Sequence, residues 1–195
     1  MTHYFSKDQS TTKSQPKDIT FTFKDQRFTF TSDYGVFSKN HVDYATQLLL
    51  ETVEVKAKDD VLDLGCGYGV IGIVLKSVYD VVLTMTDVNE RALKLAEINA
   101  KRHQVSTEIH YSVGFNEINK TFDHIISNPP IRIGKQTLYD IFKHAKAHLK
   151  SSGCLWIVMH KKHGAQSAMT FLRTLYQVDV AKKRKGFHVI KCIKR

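Results

Sequence analysis

The chain has 195 residues, 42% of them hydrophobic, enough to bury the core of one α/β domain with a short extension. Lys and Arg number 29 against 19 Asp and Glu, and the resulting charge of +10 with neutral histidines favours a polyanionic partner. No apolar run nears the ~20 residues of a membrane helix, no signal-peptide block opens the chain, and Cys66, Cys154 and Cys192 form no C-x-x-C, so free thiols in the cytoplasm are expected, with no membrane partner.

Met1 to Lys17 is rich in Ser, Thr, Gln and Lys and lacks apolar periodicity, so a flexible tail is expected over 1–17, ahead of one folded domain over 18–195. Ile19, Phe21 and Phe23 alternate with threonines, and so do Phe28 and Phe30 beyond the polar Lys24 to Arg27. That period of two predicts a β-hairpin over 18–32, its apolar face covered by the main domain. Tyr34-Gly35-Val36-Phe37-Ser38 then leads to a helix predicted from His41 to Val53, with Asn40 as its cap.

Val61-Leu62-Asp63-Leu64 reads as a buried strand that runs into Gly65-Cys66-Gly67-Tyr68-Gly69 and then into the helix-like Val70 to Leu75. A strand, a tight glycine turn and a helix start make the first unit of a βαβ fold, where a ligand can approach the backbone closely and meet free N–H groups. Gly67 to Gly72 also satisfies the dinucleotide pattern G-x-G-x-x-G. Two features argue against that ligand. Asp63 stands two residues before the first glycine, where a pyrophosphate gains nothing from a negative charge, and the glycine run begins at Gly65, one step early. A carboxylate near the turn suits a cationic ligand, such as one with an amino-acid ammonium group. Asp87 ends the next strand, Val81 to Thr86, where an acid can bind both hydroxyls of a ribose. A ribose joined to an amino acid describes S-adenosylmethionine, and on these residues the chain resembles the class I methyltransferases that use it.

Asn89 is positioned to cap a helix from Glu90 to Ala100, and Glu108 to Tyr111 reads as a third strand. In the loop Ser112-Val113-Gly114-Phe115 the family usually carries an acid that reaches the adenine amino group. Val113 occupies that position, so backbone groups or packing by Val113 or Phe115 would substitute. Phe122 to Ser127 is a fourth strand, followed by Asn128-Pro129-Pro130-Ile131. A helix from Gln136 to Lys150, a buried strand from Gly153 to Met159, a helix from Ala165 to Leu175 and an antiparallel pair, Tyr176 to Lys183 with Gly186 to Ile193, complete the chain. The resulting fold class is α/β: a doubly wound, mostly parallel seven-stranded sheet with an antiparallel last strand and the N-terminal hairpin.

Asn128-Pro129-Pro130 is the most specific signal. Two prolines fix the backbone and remove two N–H donors, so the Pro129 carbonyl and the Asn128 amide oxygen can act as acceptors at the C-terminal edge of the sheet. Two acceptors can hold the hydrogens of a planar amine and favour a pyramidal nitrogen whose lone pair attacks a methyl group in line. Gly35-Val36-Phe37-Ser38, Gln47 to Leu50 and Asn128 to Arg132 with Gly134-Lys135 sharpen the resemblance to the ribosomal small-subunit guanine-N2 methyltransferases, in a single-catalytic-domain branch.

The resemblance implies methyl transfer to the exocyclic amine of a guanine in ribosomal RNA, free or in a ribosomal subunit or assembly particle. It implies catalysis at Asn128, Pro129, Pro130 and Ile131. The implied cofactor site is Asp63, Gly65, Cys66, Gly67, Gly69, Asp87, Val88, Val113, Gly114, Phe115 and Asn128. Related enzymes often carry an aromatic where Ile131 stands, so base stacking falls to Phe37 or Phe187. Arg132, Lys135 and the cluster Lys182-Lys183-Arg184-Lys185 are candidates for RNA phosphates. His144, His148, His160 and His163 have metal-ligand spacings, but neighbouring lysines and the lack of a Cys or Glu partner argue against a metal.

Two rivals stay open. A protein-glutamine or other amide N-methyltransferase would share Asn128-Pro129-Pro130, although Ile131 and the basic balance weigh against it. A non-catalytic cofactor- or RNA-binding module would fit Val113, although intact Asp63, Asp87 and Asn128 weigh against that.

Overall fold

A computed structural model describes residues 13–130 and 133–195. The chain opens with β1 (Lys17–Phe23) and β2 (Gln26–Ser32), an antiparallel pair with Phe21 opposite Phe28 and Ile19 opposite Phe30. Lys24 and Asp25 both take positive φ (46° and 61°), the twist that lets a two-residue loop join right-twisted strands. Ile19, Phe23, Phe28 and Phe30 are buried against the main domain, as the alternation predicts. Residues 1–12 of the expected tail lie outside the described residues. Of the remainder, Lys17 already belongs to β1, and Ser14 and Gln15 donate to the Asp33 carboxylate.

The first helix is shorter than its sequence pattern predicts. α1 spans Tyr44–Leu50, and its cap is Asp43, whose side chain accepts from the Ala45 and Thr46 amides. Asn40 does not cap it, because its amide oxygen accepts from Lys17 Nζ at 2.6 Å and the helix begins only at Tyr44.

The remaining elements alternate: β3 (Asp60–Leu64), α2 (Val70–Tyr79), β4 (Val82–Asp87), α3 (Glu90–Arg102), β5 (Glu108–Tyr111), β6 (Phe122–Ser127), α4 (Lys135–Ala147), β7 (Leu149–His160), α5 (Ala165–Leu172), β8 (Tyr176–Arg184) and β9 (Phe187–Lys194). The seven-stranded sheet has the order β5-β4-β3-β6-β7-β9-β8, with β9 antiparallel to both its neighbours and the other pairs parallel. One apolar layer joins α1, α2, α3 and the hairpin to the sheet; a second joins α4 and α5 to its other face. β3 lies between β4 and β6, so the strand order reverses there. The crevice of a doubly wound sheet opens at that reversal, beyond the C-terminal ends of β3 and β6. The glycine turn follows β3 and Asn128 follows β6, which brings the two specific motifs of the sequence to one cleft.

Candidate cofactor and substrate cleft

The turn after β3 is built from backbone. Gly65, Gly67 and Gly69 all have positive φ (75°, 57° and 93°), a region costly for residues with a Cβ. The amides of Gly65 and Cys66 both donate to the Thr86 carbonyl, at 2.8 and 2.9 Å, tying the turn to β4. A Cβ on Gly65 or Gly67 would project into open space, so the turn leaves the backbone bare toward the cleft. Gly72 has a different role: a Cβ there would meet Leu83 and Met85 at 2.9 Å, so it permits α2 to lie close on β4.

Asp87 braces this turn from the end of β4. One carboxylate oxygen accepts from the Gly67 amide at 2.8 Å and the other from the Asn89 amide at 2.9 Å. Burial raises its pKa, while those amides and that of Val88 pull it down. Asp87 lines the cleft, where its carboxylate can accept from a ribose hydroxyl.

Asp63 lies beneath the turn and not on the cleft surface. Its side chain is fully buried, with Oδ2 accepting from the Gly72 amide at 2.9 Å and Oδ1 without a partner among the described residues. Burial pushes its pKa up to about 7, helped by the nearby charge of Asp87 and opposed by the Gly72 amide. Two carboxylates under one glycine turn make the floor of the cleft favourable for a cation. The donor set therefore fits S-adenosylmethionine: bare backbone for close approach, Asp87 for a ribose, and buried negative charge for the positively charged amino-acid end.

The lining of the cleft includes Phe37, Asp43, Thr46, Cys66, Tyr68 and Asn128. Cys66 is buried, and burial drives its thiol pKa well up, so it lines the wall as a neutral group. Tyr68 donates its hydroxyl to the Ser38 carbonyl at 3.2 Å, which fixes the loop carrying Phe37 over the glycine turn.

Asn128, Pro129 and Pro130 are half-buried at the mouth of β6. Asn128 Nδ2 donates to Thr46 Oγ1 at 3.1 Å and faces both oxygens of Asp43 at 3.4 Å. Asp43 and Thr46 were not singled out by the sequence. The one available signal was Asp43 itself, a capping residue type directly before an apolar run.

The other sequence candidates divide. Phe37 is 41% exposed and lines the cleft. Phe187 does not: its ring packs on Tyr44 at 5.7 Å and on His160 at 4.8 Å. Val113 is 56% exposed and outside the cleft lining, and Phe115 turns into the layer under α4, stacking on His148 at 4.6 Å. The Phe115 ring thus belongs to the core, and the Val113 side chain faces solvent. Gly114 carries only backbone in the same loop and has positive φ (61°). Ile131 and Arg132 lie outside the described residues. Lys135 begins α4, with its ammonium 5.4 Å from the Tyr139 ring.

In the basic cluster, Lys182 and Lys183 are exposed on β8, Lys185 stands over the Tyr44 ring at 4.7 Å, and Arg184 reaches Glu51 at 3.5 Å. The Lys161 amide donates to the Gly186 carbonyl at 2.8 Å, so Lys161 and Lys162 join the same face. His160 and His163 lie 5.3 Å apart there, and His160 Nδ1 accepts from the Lys162 amide. Among the described residues no three His, Cys, Asp or Glu side chains converge as a metal site, and no helix is long and apolar enough to cross a membrane.

A sequence profile of the family described as Methyltransferase small domain matches residues 27–191. The uncharacterized protein YbxB of Bacillus subtilis (strain 168) is 43% identical over 198 residues, with 98% of each chain covered. Ribosomal RNA small subunit methyltransferase C of Haemophilus influenzae (strain 86-028NP) is 44% identical over 138 residues, which cover 68% of this chain and 42% of that protein. The chain thus spans under half the length of that relative. A T. thermophilus 16S rRNA N2 methyltransferase (RsmC), solved in complex with AdoMet and guanosine, superposes with a TM-score of 0.84 at 21% identity over 92% of this chain and 51% of that one, a likeness of fold. Profile, relatives and cleft agree, and the chain belongs to the methyltransferase small domain family, with the class I fold and S-adenosylmethionine as its cofactor.

Proposed function

We propose that the chain methylates the exocyclic N2 amine of a guanine in small-subunit ribosomal RNA. The observation that carries this reading is the placement of Asn128 across the strand-order reversal from the glycine turn, with its amide nitrogen engaged by α1 and its amide oxygen left for the cleft. S-adenosylmethionine supplies an electrophilic methyl group on a cationic sulfur. The Asn128 oxygen and the Pro129 carbonyl accept the two hydrogens of the target amine. Held this way, the nitrogen lone pair points at the methyl carbon. A C–N bond forms as the C–S bond breaks, and the amine loses one proton to solvent. The leaving thioether is neutral, so positioning and charge complementarity matter more than a strong base.

Phe37, exposed at the rim, offers a ring on which a purine can stack. Lys161, Lys162, Lys182, Lys183 and Lys185 supply phosphate contacts beside the cleft, in keeping with the charge of +10. The names of the Haemophilus relative and of the T. thermophilus neighbour support ribosomal RNA as the substrate class. Such a substrate implies action in the cytoplasm, on free RNA or on an assembling subunit. Nucleoside mass spectrometry of 16S RNA from a strain lacking the protein should show the loss of one N2-methylguanosine, restored by the purified protein with S-adenosylmethionine. An identical nucleoside profile in the two strains would overturn the reading. Transfer to a glutamine-bearing protein in its place would support the amide alternative.

A further inference from the structure

A carboxamide has two ends of opposite chemistry, and an amine substrate needs the acceptor end. We infer that Asp43 and Thr46 are positioning residues for methyl transfer, fixing which end of the Asn128 amide meets the substrate; the inference rests on the transfer to an amine proposed above. Asn128 Nδ2 lies 3.1 Å from Thr46 Oγ1 and 3.4 Å from both Asp43 oxygens. Thr46 gives its own hydroxyl hydrogen to Asp43 Oδ2, so toward Asn128 it can only accept. An inverted amide would set its oxygen against three acceptor oxygens, two of them sharing a negative charge. The arrangement therefore admits one orientation, with Nδ2 toward α1 and Oδ1 toward the cleft.

Asp43 is itself held firmly. Its Oδ1 accepts from the Ala45 and Thr46 amides at 2.9 and 3.2 Å, at the positive end of α1. α1 is anchored in turn by Ala45, Leu48, Leu49 and Leu50, all buried in the layer against the sheet. The carboxylate also polarises the amide it faces and strengthens Oδ1 as an acceptor. A contact spanning 85 residues thus ties a helix cap to the group that would hold the target amine.

Thr46→Val removes the hydroxyl at nearly constant volume, and Thr46→Ser restores it. Asp43→Asn keeps a capping oxygen while removing the charge. In single-turnover methylation of unmodified 16S RNA transcript, Thr46→Val should be roughly tenfold slower and Asp43→Asn slower still, with S-adenosylmethionine affinity within about twofold of wild type. Thr46→Ser should recover most of the rate. A second measurement needs no substrate. In asparagine-labelled protein, the Asn128 side-chain NH2 pair, assigned by its loss in Asn128→Ala, should exchange slowly with solvent in wild type and Thr46→Ser, and fast in Thr46→Val. Wild-type chemical rates in Thr46→Val and Asp43→Asn, or a wild-type Asn128 pair that exchanges like a surface amide, would overturn the inference. If wild type transfers no methyl group to any RNA, the guanine reading falls alone, and the exchange measurement still decides the role of Thr46.

Discussion

Asn99 and Thr31 pair as two strand residues would, although one is a side chain on a helix. The Thr31 amide donates to Asn99 Oδ1 at 2.7 Å, and Asn99 Nδ2 donates back to the Thr31 carbonyl at 3.0 Å. The same nitrogen donates to the Tyr68 carbonyl in the glycine turn at 2.9 Å. One buried amide on α3 thereby joins the N-terminal hairpin to the cofactor turn, and the hairpin becomes a brace of the site.

Asn99→Leu should therefore cost both stability and cofactor binding. It strands the Thr31 and Tyr68 backbone groups in a buried setting, a loss on the order of 2–4 kcal/mol. Denaturant unfolding should show that loss, and calorimetry should show weaker S-adenosylmethionine binding. A variant as stable as wild type would mean that water replaces the amide without penalty.

Asp63 predicts a pH dependence. Its pKa is raised from 3.8 to about 7 in the folded chain. The native state then holds a proton that the unfolded chain has lost, so this group favours folding at low pH, and the advantage fades as pH rises from about 4 through 7. The cofactor-free wild type should lose melting temperature relative to Asp63→Asn between pH 5.5 and 8. A bound cation favours the ionised carboxylate, so S-adenosylmethionine affinity should rise over the same interval in wild type and not in the variant. Parallel melting curves for the two proteins would remove Asp63 from this role.

Asp87→Ala removes the acceptor for ribose hydroxyls and the brace on Gly67 together. Charge-assisted hydrogen bonds contribute about 1.5–3 kcal/mol each, so calorimetry should find S-adenosylmethionine binding weakened by at least tenfold. Asp87→Asn, which can still accept from the Gly67 amide, should fall between. Tight binding of NADH by the wild type would contradict the cofactor assignment.

Strand, turn and helix around Gly65 to Gly72, the acid at Asp87 and the turn at Asn128 were legible because each signal is local: a burst of apolar residues, a run of glycines, two prolines. What was not legible depends on competition or on distance. Asn40 and Asp43 are both good caps, and only the folded chain shows that Lys17 occupies Asn40. The loop at Val113 could place Phe115 on either face, and the stack on His148 decides it. The Asp43–Asn128 contact joins residues 85 apart and leaves no periodic trace in the sequence.

The basic cluster is not uniform, which refines its test. Arg184 reaches Glu51, whereas Lys182 and Lys183 stand free at the surface and Lys185 rests on the Tyr44 ring. Neutralising Lys182, Lys183 and Lys185 should flatten the salt dependence of RNA binding by about 2–3 units of log–log slope. Arg184→Gln should change it less. Cofactor affinity should hold in both. An unchanged slope in the triple variant would reduce the cluster to solvated charge.

Asn128 offers the sharpest separation of catalysis from binding. Asn128→Ala removes an acceptor that matters most as the amine becomes pyramidal, so the loss should fall on kcat, at about a hundredfold, with cofactor affinity little changed. Asn128→Asp is the more informative change, because Nδ2 becomes an oxygen facing the Asp43 carboxylate oxygens, 3.4 Å from that nitrogen. Two carboxylates this close do not both ionise readily, and one pKa of the pair rises. At low pH the shared proton can lie between them, leaving a carbonyl oxygen toward the cleft in place of the amide oxygen. Activity should then survive in part near pH 6 and fall by pH 8, while the wild-type rate changes little between the two. The measurement is a single-turnover pH profile of both proteins on the same RNA. A flat profile for Asn128→Asp would show that the carboxylate does not feel Asp43, and full activity in Asn128→Ala would reduce Asn128-Pro129-Pro130 to a strand-ending turn.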